Sequence, residues 1–192
     1  MAKKESSFKN MTIALFVITA VAGLAMSVVY SVTKEPIAAS QRAKINNAIK
    51  MVIPEFDAIS DTVIMPEDGK DSIKVHRLLK GTENSGNAVE TYTDKGFAGR
   101  FSLMVGFMPD GAISSIEVLE HKETPGLGTK MALPTFKDQF KGLKIDELPG
   151  GKLKVKKDGG TVDAITAATI SSRAFCDAVN RANEINKKGG KQ

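Results

Sequence analysis

Twenty-four consecutive residues, Asn10 to Thr33, carry no charge, and most of that stretch reads MTIALFVITAVAGLAMSVVYSV. No soluble domain needs so long an uncharged run. At 1.5 Å per residue the 22 residues from Met11 to Val32 reach about 33 Å, enough to cross the hydrocarbon core of a bilayer. A cleaved signal peptide is the competing reading, because Lys3, Lys4 and Lys9 form a basic start. Signal h-regions are usually only roughly 7–15 residues long, and no A-x-A site ends this run. The expectation is therefore an uncleaved anchor. The lysines before it favour a cytoplasmic N-terminus and place the rest of the chain on the other side. The chain then divides into a cytoplasmic tip (1–10), a transmembrane helix (11–33) and an extracytoplasmic domain (34–192).

The formal charge of +5 over 192 residues needs correcting for that tip. Setting aside Lys3, Lys4, Lys9 and Glu5 leaves 24 basic and 21 acidic residues, a net +3. So small a bias, with no aromatic-and-basic platform, argues against nucleic acid. In GGKLKVKKDGG the lysines alternate with Leu153 and Val155, as on the solvent face of an edge strand; an acidic partner is the other reading. Cys176 is the only cysteine, and the only histidines, His76 and His121, are far apart in sequence. A metal site built by this chain alone is not expected. Any redox chemistry then comes from an organic cofactor or from another subunit.

Beyond the anchor, Pro36–Val52 reads as a helix with Pro36 in its first turn. Strand patterns follow in SIKVHRLLK, AVETYT, FSLMVGFM and AISSIEVLEH, the last two joined by a PDG turn into a hairpin. Phe101, Leu103, Val105 and Phe107 share one face, which is expected to meet the core. Residues 131–141 suggest a short helix carrying Phe136 and Phe140. A last helix is expected from about Ser171 to Lys187, with Ala174, Phe175, Ala178, Val179, Ala182 and Ile185 as its apolar stripe. The fold class is α+β, an antiparallel sheet flanked by helices.

The start of that last helix is unusual. DAITAATISSRAF places four hydroxyls, Thr166, Thr169, Ser171 and Ser172, within seven residues. One cap needs one hydroxyl. Small residues let a bulky group approach the backbone, and a helix N-terminus welcomes a phosphate. The dipole contributes only about 0.3–1 kcal/mol when exposed, too little to retain a soluble cofactor outside the cytoplasm. A phosphoester to a threonine hydroxyl would retain it.

DAITAAT resembles the flavinylation motif Asp-x-x-Ser/Thr-Gly-Ala-Thr of the FMN-binding domain family found in ion-translocating respiratory complexes. ETPGLG, Glu123–Gly128, resembles that family's second signature. With one N-terminal span, the chain is similar to the G subunits of Rnf complexes, which couple electron flow between ferredoxin and NAD to ion movement. The C subunits of sodium-translocating NADH:quinone reductases are near relatives, and a cofactor-free single-span scaffold is the reading from another class. The resemblance implies an FMN-binding domain behind the anchor, in a bacterial inner membrane. It implies FMN bonded through its phosphate to Thr169 by an FAD-dependent flavin transferase, with Thr166 the alternative attachment point. Other membrane and redox subunits of the same complex would be its partners. Asp163 would help the transferase recognise or activate the threonine, or is simply a turn or capping acid. Ala167 and Ala168 complete the motif, although the family usually has glycine where this chain has Ala167. Glycine accepts positive φ without steric cost and alanine does not.

In the second signature, Pro125 stiffens the loop, while Gly126 and Gly128 admit a flat ring close to the main chain. Leu127 offers an apolar contact, Glu123 and Thr124 polar ones, and backbone N–H groups a way to tune the ring. Taken alone, the same residues describe a tight turn after a strand. Cys176 is read as a packed or half-exposed thiol, His76 as a strand residue, Ser171 and Ser172 as helix-start residues, and His121 as the start of the signature loop.

Overall fold

The computed structural model describes residues 7–66 and 71–189; of the N-terminal tip, Lys3, Lys4 and Glu5 lie outside them. The chain forms two compact units that divide between Lys44 and Ile45. In the first, helix α1 (Phe8–Val52) begins, and its apolar stretch is long and uncharged enough to cross a membrane, with none of it buried. Pro36 lies inside this helix and does not start a new one. Proline there removes a single backbone hydrogen bond, and the helix continues through the alanines and glutamine that follow.

The second unit holds a five-stranded antiparallel sheet in sequential order: β1 (Ala58–Ile64), β2 (Ile73–Lys80), β3 (Glu83–Thr93), β4 (Phe101–Phe107) and β5 (Ile113–Glu120). All four strand patterns read from the sequence are strands, and β4 and β5 form the expected hairpin. β1 is the addition. Six of its seven residues are exposed, so it shows no alternation to reveal it.

Both faces of the sheet are covered. On one, Phe101, Leu103, Val105 and Phe107 pack with Phe175, Val179 and Ile185 of helix α3 (Thr169–Gly189). On the other, the last turns of α1 set Ala48, Ile49 and Val52 against Leu78, Ala88 and Met104. All six residues of the expected α3 stripe are buried. Thr91 Oγ1 donates to the Ala178 carbonyl (3.1 Å) and Thr93 Oγ1 to Asp177 (2.9 Å), which fixes α3 over β3. Below its first turns, Phe175 meets Phe136 and Phe140 with ring centroids 5.1 and 5.0 Å away, an edge-on and tilted cluster favoured by aromatic quadrupoles.

Two local expectations change. The helix expected over 131–141 is broken into a 3-10 turn (Gly128–Ala132), the single turn α2 (Pro134–Lys137) and a further 3-10 turn (Asp138–Phe140). Leu133 is extended (φ −77°, ψ 145°), as a residue before proline tends to be. KLKVKK is not an edge strand. Leu153 and Val155 are buried and its lysines exposed, but the backbone of Leu153 exchanges two hydrogen bonds with the Asn180 side chain (2.8 and 3.0 Å). Its only strand-like pairing is one bridge, Val155 to Val162. The alternation is real, but its partner is a helix side chain.

Candidate functional site

The two sequence motifs, more than thirty residues apart, meet around one cavity of about 310 Å³. It is lined by Glu123, Thr124, Leu127 and Gly128 from the loop after β5, and by Ala167, Ala168, Thr169, Ile170 and Ser171 from the start of α3. Phe97, from the β3–β4 connection, completes it. That volume lies at the small end of ligand cavities, which run to roughly 300–1,000 Å³.

The four hydroxyls separate by role. Ser172 Oγ accepts the Ile165 N–H (2.9 Å) and donates to the Ala168 carbonyl (3.0 Å), locking the turn that precedes α3. Ser171 Oγ donates to Glu123 Oε2 (2.9 Å). The hydroxyls of Thr166 and Thr169 make no hydrogen bond to any described residue. Of these two, Thr166 is exposed and outside the cavity, whereas Thr169 is half-buried and lines it. Thr169 is also the first residue of α3, and the helical bond pattern opens with Ser172 N–H to the Ala168 carbonyl (3.0 Å). The N–H groups of Thr169, Ile170 and Ser171 lie ahead of that bond, at the positive end of a 21-residue helix. An anion bonded to Thr169 would sit where backbone donors and dipole both favour it.

Ala167 has φ +62°, the one positive value outside glycine among the described residues. Its neighbours explain this: Ala168 N–H bonds to the Ile165 carbonyl (3.0 Å), so Ala167 is the third residue of a β-turn. Positive φ at that position defines a type II turn, where glycine is preferred. Glycine meets that geometric demand freely, and alanine only under strain.

Glu123 is buried, and both carboxylate oxygens are engaged within the protein: Oε2 accepts from Ser171 and Oε1 from the Ala98 N–H (3.3 Å). One side chain therefore ties the signature loop to the first turn of α3 and to the Gly96–Gly99 turn. Gly128 makes this possible. A Cβ there would lie 2.4 Å from Glu123 Oε2 and 2.9 Å from Ser171 Oγ. Gly126 has φ +75° and turns the loop. Within the loop, the Gly126 N–H donates to Thr129 Oγ1 (3.0 Å) and the Leu127 N–H to the Thr124 carbonyl (3.2 Å). Those two donors are spent on the loop's own shape, while Thr124 and Leu127 line the cavity.

Asp163 lies outside the cavity. Its carboxylate is exposed and accepts from Lys156 Nζ (2.7 Å), and its backbone N–H donates to Gln139 Oε1 (2.7 Å). It pairs with Lys156 and caps no helix. His121 is exposed and outside the cavity; His76 is a buried residue of β2 whose Nδ1 lies 2.7 Å from Asp61. Cys176 is buried at the back of α3, and burial pushes its thiol up to about 12. Phe97 and Ile170 carry no motif signal; an aromatic between glycines in KGFAGR was the available hint for the first.

Residues 96–184 match the family described as FMN-binding domain, a span that contains every residue of the cavity. The G subunit of the ion-translocating oxidoreductase complex of Aliivibrio fischeri is 30% identical over 183 residues, covering 90% of this chain and 86% of that one. The G subunit of the proton-translocating ferredoxin:NAD(+) oxidoreductase complex of Clostridium ljungdahlii is 30% identical over 177 residues, with 92% and 88% covered. The crystal structure of the C subunit of the Na(+)-translocating NADH-quinone reductase from Parabacteroides distasonis superposes with a TM-score of 0.56 at 18% identity, over 75% of this chain and 90% of that one, and shows the same fold. With 30% identity to the first two sustained over nearly the whole of each chain, this chain belongs to the G-subunit family of Rnf-type ion-translocating oxidoreductase complexes.

Proposed function

We propose that this chain is the electron-carrying G subunit of a membrane-bound ferredoxin:NAD oxidoreductase that translocates ions, and that it holds FMN covalently through a phosphoester to Thr169. One observation carries the reading: the Thr169 hydroxyl, unpartnered among the described residues, lines a cavity between both signature motifs, at the N-terminus of α3. The bound flavin would supply one- and two-electron chemistry, and the chain supplies position and surroundings. The first-turn N–H groups would hold the phosphate, Thr124 would offer a polar contact, and Leu127 and Ile170 apolar ones. No acid or base is required of the chain for electron transfer.

Attachment balances with FAD as donor. The Thr169 oxygen attacks the phosphorus next to the riboflavin, the pyrophosphate bond breaks, AMP leaves, and the hydroxyl proton passes to solvent or a base of the transferase. Asp163, exposed upstream, is available to that enzyme as a recognition group. The basic tip before the apolar helix orients the chain with its N-terminus in the cytoplasm and the flavin domain outside, anchored once in the bacterial inner membrane. Its partners are then the other redox and membrane subunits of the same complex. The C-subunit alternative shares the fold at 18% identity, whereas the G subunits are 30% identical over most of both chains, which supports the G-subunit reading.

The test is in-gel flavin fluorescence after co-expression with a flavin transferase. Wild type and Thr166→Ala are expected to give a fluorescent band under denaturing conditions, and Thr169→Ala none. A band in Thr169→Ala of unchanged intensity would place the attachment elsewhere.

A further inference from the structure

We propose that Phe97 covers one face of the flavin ring held at Thr169 and shields it from water; this rests on the flavin reading above. Phe97 belongs to neither motif, yet it lines the same cavity as Thr169 and Leu127 and is 68% exposed. An aromatic side chain that borders a cavity and is not buried in the core is available to stack on a flat ring.

Its loop holds it there. The Gly99 N–H donates to the Gly96 carbonyl (3.2 Å), closing a tight turn with Phe97 at its tip. Arg100 Nε donates to Asp94 Oδ1 (2.6 Å) and the Arg100 guanidinium lies over the Tyr92 ring at 4.4 Å, which braces the base of the loop. Ala98 N–H reaches Glu123 Oε1, and the other oxygen of that carboxylate receives Ser171, two residues beyond Thr169. Thus one buried carboxylate fixes the aromatic relative to the attachment point. Glu123 is the positioning residue and Phe97 the group that meets the ring.

The experiment uses the full chain, co-expressed with a flavin transferase and purified in detergent, with attachment checked by intact mass. Iodide quenching of flavin fluorescence reports how open the ring is to solvent. With Phe97→Ala the quenching constant is expected to rise about two- to tenfold, the range in which losing one aromatic contact changes a stacked population. Phe97→Tyr, which keeps the ring, is expected to stay near wild type. Glu123→Ala should raise the constant as well, because the loop loses its tether, while Glu123→Gln should partly restore it. Phe97→Ala carrying its full flavin with an unchanged constant overturns the proposal. Wild type with no attached flavin overturns both this proposal and the one on which it rests.

Discussion

Replacing Ala167 with glycine should stabilise the domain, although the same change destabilises most folded positions. An alanine held at φ +62° is in the left-handed region, which costs a residue with a Cβ about 1–2 kcal/mol. Glycine removes that cost but gains freedom in the unfolded chain, worth about 0.4–1 kcal/mol in the other direction. Little packing offsets the change, because Ala167 is exposed. The net expectation is a gain of about 0.5–1 kcal/mol, or a rise in Tm of about 1–4 °C for a domain of this size. Urea and thermal unfolding of the full chain in detergent, followed by far-UV circular dichroism, measure it. Thr166→Gly is the control: it sits at the preceding turn position without positive φ and should lose stability by a similar amount. If Ala167→Gly also lost about 0.4–1 kcal/mol, the type II turn would be the wrong description of this segment.

Two further outcomes follow from burial. Gly128→Ala would push a methyl into Glu123 and Ser171, and should cost about 1–3 kcal/mol by urea unfolding as well as loosening the turn that carries Thr169. Cys176 should resist iodoacetamide in the native protein and react once unfolded. With its pKa pushed up to about 12 by burial, its thiolate at pH 8 falls from about a quarter to about one part in ten thousand, and labelling followed by mass spectrometry reads this out.

The long periodic segments were the legible ones. The stripe of α3 and the alternation of β4 each repeat often enough for one face to be unmistakable, the uncharged run is legible by its length alone, and all three are helices or strands where expected. β1 was hidden because an edge strand with no buried face carries no period. KLKVKK misled for the converse reason: Leu153 and Val155 point inward as in a strand, but a side chain, Asn180, satisfies the backbone. Pro134 cut the 131–141 helix, a break its sequence already announced. At the site, the motifs marked out the loop and the turn, but not the tether between them. Glu123 and Ser171 are 48 residues apart, and nothing in either motif says that one bonds the other. The strain at Ala167 was half legible, since the departure from glycine was visible and its φ was not.

The most direct measurement is peptide mass spectrometry of this protein isolated from its native membrane. The peptide containing Thr169 is expected to carry the mass of one FMN less one water, with fragmentation placing the increment on Thr169 and leaving Thr166 unmodified. Finding that peptide unmodified, in protein taken from a working complex, would contradict the account of a flavin fixed at the start of α3.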